Sequence, residues 1–192
     1  MNNFIIISAP SGTGKTSICK YIQRIDPSIG FSVSCTTRHK RKNEVDGKDY
    51  FFIPSTEFEI KIKNNEFIEW EQIHGSDYYG TLKSSLTEAV VEDRKILLEL
   101  DVKGAMSIKK KYPDNSLSIF IEPPSIEELK NRLEKRGADS NERIIKRLER
   151  YNSEVSYKAN FDYHIINDDL ERANNEIMNI IKNKNKGVHY GS

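Results

Sequence analysis

Apolar positions along this 192-residue chain follow two spacings. The runs at 4–8, 95–101, 116–121 and 161–167 are largely apolar at consecutive positions, as strands buried inside a sheet are. Between them, apolar residues recur every three or four positions. Ile18, Ile22 and Ile25 form one such stripe, Leu129 and Leu133 a second, and Ile144, Leu148 and Tyr151 a third, each marking one side of a helix. Punctuation falls where these helices should begin or end. Asp26-Pro27 stops the first, Pro123-Pro124 ends a strand, Ser125 with Glu128 makes a capping box, Gly137 closes that helix, and Asp139 with Glu142 opens the next. Further helices are expected over 55–65, 83–93 and 102–112, and a last one runs from its cap at Asp168-Asp169 to about Lys182.

The middle of the chain has a different texture. Residues 31–35 read as one strand and 49–53 as another that ends at Pro54. Residues 66–74 have a period of two, with Ile68 and Trp70 facing one way and Phe67, Glu69 and Glu71 the other. Residues 35–81 therefore read as a small inserted lobe of antiparallel or mixed β-structure. Elsewhere strands and helices alternate, which predicts an α/β fold: a parallel sheet with helices on both faces and its ligand at the carboxyl ends of the strands.

Lysine plus arginine number 30 against 29 aspartate plus glutamate. This balance argues against a protein built to coat nucleic acid or an anionic membrane, and confines any basic site to a local patch. No apolar run is long enough to span a bilayer and no charged-then-apolar leader precedes the first strand, so a cytoplasmic protein is expected. Cys19 and Cys35 stand apart with no histidine at metal-ligand spacing, and read as small buried hydrophobes. His39, His74, His164 and His189 are equally scattered, so no structural metal is expected.

Chemistry enters at the end of the first strand, where Phe4-Ile5-Ile6-Ile7 runs directly into Ser8-Ala9-Pro10-Ser11-Gly12-Thr13-Gly14-Lys15-Thr16. Gly12 and Gly14 let the backbone curl so that successive N–H groups point inward, and the following helix adds its positive end. This is a phosphate-binding loop. Lys15 can reach the β- and γ-phosphates, and the Thr16 hydroxyl is placed to ligate Mg²⁺ bridging the same oxygens, so a nucleoside triphosphate with Mg²⁺ is expected. Ala9 stands where the generic pattern has glycine and is small enough to fit.

A second basic site follows. In Thr36-Thr37-Arg38-His39-Lys40-Arg41-Lys42, an ordinary reading is a solvated loop, but Arg38 and Arg41 lie three apart after a strand end and, with Tyr50, can clamp another phosphate. Asp101 ends an apolar strand, where it either faces metal or substrate or caps the next helix. Arg132 and Arg136 share one helix face, and Arg143, Lys146, Arg147 and Arg150 make a basic stripe on the next helix. These two helices fit a hairpin carrying solvated charge and fit equally a lid that supplies arginines to a triphosphate. A triphosphate and a monophosphate held facing each other would align a γ-phosphoryl group with an acceptor oxygen, a reaction that needs positioning and charge neutralisation.

From Asn3 to Lys182 the chain resembles the guanylate kinases. The resemblance is carried by residues 8–15, by Ser34-Cys35-Thr36-Thr37-Arg38 with Arg41, by Gly47-Lys48-Asp49-Tyr50, by Glu66-Phe67-Ile68-Glu69-Trp70, by Tyr79-Gly80-Thr81 and by Glu99-Leu100-Asp101-Val102-Lys103-Gly104. It implies transfer of the γ-phosphoryl of ATP, with Mg²⁺, to GMP, and no nucleic-acid or membrane partner. It implies that ATP is bound by Ala9 to Thr16, with Asn167 and Asp168 near the adenine, and that Lys15, Arg41, Arg132, Arg136 and Arg147 serve the transfer. By the same resemblance Arg38, Arg41, Tyr50 and Tyr79 hold the GMP phosphate, Glu69 assisted by Asp101 meets the donor edge of guanine, and Ser34 and Thr81 meet O6. The base chemistry agrees, because guanine offers N1–H and 2-amino donors beside an O6 acceptor and adenine reverses that pattern.

The implied division is a core of 1–34, 82–124 and 159–184, a GMP-binding lobe of 35–81, a helical lid of 125–158 and a flexible tail of 185–192. Two departures from the family stand out: the turn at 75–78 is one residue longer, and Lys146 stands where a second arginine is common. A kinase of AMP, dTMP or CMP is opposed by Glu69 with Thr81. A non-catalytic peptide-binding module of the same fold is opposed by the intact Lys15 and Thr16.

Overall fold

The computed structural model describes residues 3–73, 77–137 and 140–184. In chain order the elements are β1 (Phe4–Ser8), α1 (Lys15–Ile25), β2 (Gly30–Phe31), β3 (Cys35–Thr36), β4 (Phe51–Phe52), α2 (Ser55–Lys63), β5 (Phe67–Ile73) and β6 (Asp77–Leu82). There follow α3 (Lys83–Val91), β7 (Ile96–Leu100), α4 (Val102–Lys111), β8 (Ser116–Glu122), α5 (Ile126–Arg136), α6 (Asn141–Val155), β9 (Tyr163–Ile166) and α7 (Leu170–Lys184).

Strands β2, β7, β1, β8 and β9, in that spatial order, form an all-parallel sheet. Alternation along β1 sends Ile5 and Ile7 to one face, where Ile18, Cys19 and Ile22 of α1 and Ala173, Ile177 and Ile181 of α7 cover them. Phe4 and Ile6 go to the other face, under Leu86 and Ala89 of α3 and Val102, Ala105 and Ile108 of α4. With both faces covered, neither side of a core strand needs polar residues, which is why these strands read as continuous apolar runs. Their shared direction brings the loop after β1 and the acid after β7 to the same edge.

The second sheet, ordered β4-β3-β6-β5, is mixed: β3 and β4 run parallel, and the other pairs antiparallel. Cys35, Phe58 and Phe67 are its buried centre. Three expectations are corrected here. The single strand expected over 31–35 is two, because β2 pairs with β7 in the parallel sheet and the chain then crosses to the second sheet as β3. Of the strand expected over 49–53 only Phe51 and Phe52 form a strand of the sheet, since the Gly47 amide bonds the Tyr50 carbonyl at 2.9 Å and holds 47–50 as a turn.

The third correction concerns β5. Phe67 lies opposite Leu82 and Glu69 opposite Thr81, so one extra residue is inserted at Ile68 and the period of two breaks there. Phe67 consequently stacks on Phe58 at 4.3 Å, on the side that also carries Tyr78 and Trp70, while Ile68 packs against the core beneath α4. Glu69 and Glu71, opposite Thr81 and Tyr79, remain together on the other face.

Helices α5 and α6 pack through Leu129, Leu133 and Ile144. Ser125 caps the first by accepting from the Glu128 amide at 3.1 Å, and Gly137 ends it with φ 62°. The cap expected at Asp139, the turn at 75–76 and the tail from 185 fall outside the described residues. Among the described residues no helix is long and apolar enough to cross a membrane.

Ile22 is fully buried, whereas Ile25, placed by its spacing in the same stripe, is 47 % exposed at the end of α1. Ile22→Ala is therefore expected to cost about 2–5 kcal/mol in urea denaturation, and Ile25→Ala under about 1 kcal/mol.

Candidate active site

Gly12 and Gly14 both have φ of 95°, a region that an L side chain adopts only under strain. Space is equally restrictive: a Cβ on Gly14 would stand 2.6 Å from Asn167 Nδ2, and one on Gly12 2.8 Å from Leu133 Cδ2. Between them Thr13 is buried, its hydroxyl donating to the Pro10 carbonyl at 2.8 Å and its own carbonyl accepting from Asn167 Nδ2 at 2.7 Å. Helix α1 starts at Lys15 with no side-chain cap, so its first amides are not taken up by a capping side chain. Lys15 Nζ donates to the Leu100 carbonyl at 2.9 Å, and Thr16 Oγ1 to Glu99 Oε1 at 2.7 Å.

In the basic segment after β3, His39, Lys40 and Lys42 are exposed, but Arg38 and Arg41 are partly buried. Arg38 Nη1 and Nη2 donate to the two oxygens of Glu44 at 2.7 and 2.5 Å, and the guanidinium carbon lies 5.1 Å from the Tyr50 ring centre. The Arg41 amide also donates to Glu44, at 2.8 Å. Partial burial alone would raise the Glu44 carboxyl, but the bonds from Arg38 and the Arg41 amide outweigh it and hold it below its ordinary value. Tyr79 meets Tyr50 edge-on, with ring centres 5.9 Å apart. Burial pushes the Tyr50 phenol well above its usual range, so the hydroxyl remains a donor.

A group of acids lies beside this cluster. Glu69 Oε2 comes within 2.7 Å of where a Cβ on Gly104 would be, so the approach depends on that glycine. Asp101 caps α4, the second of the two readings of the sequence, by accepting from the Gly104 amide at 2.7 Å, and it also lines the cleft. Burial, reinforced by Asp101 and Glu71 and opposed by bonds from Thr81, raises Glu69 to about 7. Ser34 lies 3.3 Å from the hydroxyl of the fully buried Thr81.

One cleft of about 820 Å³ joins the groups. Lys15, Thr16, Ser34, Arg38 and Arg41 line it, as do Tyr50, Glu69, Tyr79 and Asp101. So do Ala9, Pro10, Ser11, Gly12 and Gly14, and from the two helices Arg132, Arg147 and Arg150. Arg147 Nη1 bonds Ser11 Oγ directly, Arg132 and Arg150 pair with Glu128 and Glu154 of their own helices, and Lys146 points to solvent. The Arg136 side chain lies outside the described residues. Thr13, Thr81, Asn167 and Asp168 do not line the cleft; Asn167 supports the loop from behind, and Asp168 pairs with Arg172.

Five cleft acids carry no part in the sequence reading of the site: Glu44, Asp49, Glu71, Glu99 and Glu154. Two were legible, because Glu71 follows Glu69 by two on one strand and Glu99 shares with Leu97 the α1 side of β7. Glu44 was not, since its role depends on a turn. Among the described residues no group of three or more acids, histidines or cysteines could hold a metal ion by itself.

An amide loop and an arginine–tyrosine cluster facing one cleft at the carboxyl edge of a parallel sheet place the molecule among nucleotide phosphotransferases of the P-loop type. Known proteins narrow this further. The profile of the family described as guanylate kinase matches residues 1–184. The guanylate kinase of Carboxydothermus hydrogenoformans is 43% identical over 189 residues, 97% of this chain and 92% of that one. That of Porphyromonas gingivalis is 44% identical over 185 residues, 94% of this chain and 97% of that one. A crystal structure of guanylate kinase from Anaplasma phagocytophilum aligns with a TM-score of 0.76 at 32% identity, covering 94% of this chain and 85% of that one. The chain belongs to the guanylate kinase family.

The raised Glu69 sets a pH dependence of stability. A carboxyl held near 7 in the fold and near 4.5 in the unfolded chain favours folding below the lower value, and that contribution is lost as pH rises through the upper one. Glu69→Gln is therefore expected to gain stability relative to the wild type between pH 5 and pH 8, by on the order of 1–3 kcal/mol in chemical denaturation without nucleotide.

Proposed function

We propose that the protein transfers the γ-phosphoryl group of ATP to GMP, giving ADP and GDP. The observation that carries this reading is that Lys15 of the amide loop and the cluster of Arg38, Arg41, Tyr50 and Tyr79 line one cleft, with Glu69 and Asp101 in its wall. In this reading the triphosphate lies in the loop of residues 9–16, and Lys15 leaves the Leu100 carbonyl for the β- and γ-oxygens. Arg38, Arg41 and the two tyrosine hydroxyls take the GMP phosphate and aim one of its oxygens at the γ-phosphorus. Glu69 and Asp101 accept from N1–H and the 2-amino group, and Ser34, backed by Thr81, meets O6. Adenine would leave Glu69 without donors in a buried wall, a loss that discriminates by roughly 10⁴ or more.

Helices α5 and α6 act as the lid, and residues 35–81 as the GMP lobe, over the remaining core. Arg132, Arg136 and Arg147 neutralise the charge that spreads over the transferred group. Asn167 serves ATP indirectly, by holding the Thr13 carbonyl. Thr16 and Glu99 offer one hydroxyl and one carboxylate at the loop, with room for water and phosphate oxygens, a donor set that suits Mg²⁺. Mg²⁺ held there would neutralise charge on the triphosphate. Both nucleotides are metabolites of the cytoplasm, where this reading places the protein.

Lys15→Ala is expected to lower kcat by more than about 10³-fold while GMP binding persists in calorimetry. Glu69→Gln is expected to raise the KM for GMP by about 10²-fold or more and to leave the KM for ATP within about twofold. Equal effects on the two KM values would remove Glu69 from base recognition. Because N1–H and the 2-amino group need an ionised acceptor, GMP affinity should strengthen as pH rises toward 7, and Glu69→Gln should lack that limb.

A further inference from the structure

Glu71 lies two residues beyond Glu69 on the cleft face of β5, opposite Tyr79. Its Oε1 accepts from Lys103 Nζ at 2.6 Å. Its Oε2 is buried without any hydrogen-bond donor. The group within hydrogen-bonding reach of this carboxyl is Asp101, whose Oδ1 is already engaged by the Gly104 amide. Two carboxylates supply only acceptors, so their contact becomes a bond when one of them carries a proton.

We propose that Glu71 is a positioning residue for purine recognition: it carries a proton on Oε2, donates it to Asp101, and so fixes Asp101 as an acceptor for the 2-amino group of guanine. The inference rests on the GMP-kinase reading above. Asp101 already serves as an acceptor toward the Gly104 amide, which leaves Glu71 as the donor of the pair, and the contact of Lys103 with Oε1 leaves Oε2 as the protonated oxygen. The two engagements together define the orientation of the Glu71 carboxyl. Asp101, held by the Gly104 amide on one side and by Glu71 on the other, loses the freedom to swing out of the wall, so the 2-amino group meets an acceptor already in place. Burial, with Asp101 reinforcing it and Lys103 opposing it, raises Glu71 to about 7. The charged and titratable groups around the pair are Glu69 on β5, Tyr79 on β6, Lys103 on α4, Glu154 of α6, which approaches Asp101, and Tyr157, which approaches Lys103.

The two acids then act in opposite senses. Glu69 must lose its proton to receive guanine, and Glu71 must keep its own. GMP affinity is expected to pass through a maximum near neutral pH, the rising limb from Glu69 and the falling limb from Glu71. The second ionisation of the GMP phosphate, near 6, is common to all variants and cancels when they are compared.

The test is steady-state kinetics and GMP binding across pH for wild type, Glu71→Ala and Glu71→Gln, with IMP, which lacks the 2-amino group, as second acceptor. Glutamine keeps a carbonyl for Lys103 and an N–H for Asp101. Glu71→Ala is expected to raise the KM for GMP about tenfold, to narrow the preference for GMP over IMP by a similar factor, and to leave kcat and the KM for ATP within about twofold. Glu71→Gln is expected to keep wild-type affinity at pH 7 and to hold it above pH 7, where the wild type weakens. A wild-type KM for GMP in Glu71→Ala, a glutamine variant as impaired as the alanine one, or a falling limb that survives in Glu71→Gln would each overturn the proposal while leaving the kinase reading standing. A wild-type enzyme that shows no saturation by GMP would overturn both.

Discussion

The buried hydrogen bond from the Asn167 amide to the Thr13 carbonyl, joining segments 154 residues apart in sequence, holds together the part of the molecule on which everything else depends. Five consecutive loop residues with glycine at two of them have no reason to keep one shape. The shape is imposed from behind. Asn167 follows β9, at the far edge of the sheet from β2, and reaches the loop only because Gly14 has no Cβ to obstruct it. Thr13 turns inward to complete the arrangement through Pro10. Both bonds lie out of water, where an unmade partner would cost about 1–3 kcal/mol, so the loop is held in its curled form before any ligand arrives. A preformed nest of amides is what allows a polyphosphate to bind without first ordering the chain that receives it.

On that fixed loop the cations of the cleft share a common state. Lys15 rests on a main-chain carbonyl, Arg147 on the Ser11 hydroxyl, and Arg38 on Glu44. In the proposed reading a phosphate oxygen replaces each of these acceptors, which meanwhile keep the donors oriented and limit the reorganisation needed on binding. The Arg38–Glu44 pair differs in kind, because it is a charged, two-pronged bond. Glu44 also accepts from the Arg41 amide, so the turn that carries both arginines is closed by one carboxylate.

How far this was legible follows from how local each feature is. The phosphate loop could be read because strand, glycines, lysine and threonine are consecutive and their chemistry is set by their order. The core strands could be read because burial on both faces erases polar positions. The division of 31–36 between two sheets could not, since it is decided by which strands lie alongside, Ile96 and Leu97 for β2 and Gly80 and Tyr79 for β3. The bulge at Ile68 was hidden for the same reason: an inserted residue changes no composition, only the partner opposite it. Even so, Glu69 and Glu71 kept the facing expected of them, because the bulge lies before both. The arginines of α5 and α6 had two readings by periodicity. What periodicity does not carry is the packing of Leu129 and Leu133 over Gly12, which lays the hairpin against the loop.

If the acid-rich wall receives a base, as proposed, a site for an electrically neutral ligand needs as much electrostatic support as a site for phosphate. Glu69, Glu71 and Asp101 stand close together and half withdrawn from water, with Lys103, itself mostly exposed, as the cation paired to them. Three like charges there would repel one another and lose hydration together. Two features lower that cost. The start of α4 presents amides and the positive end of its dipole to Asp101, and protons remain on acids that would be ionised in water. In the proposed reading guanine relieves the wall in a way phosphate could not, by bringing donor hydrogens without bringing a charge. On that reading, recognition of the base and the raised values of Glu69 and Glu71 are two consequences of one crowding of carboxyl groups.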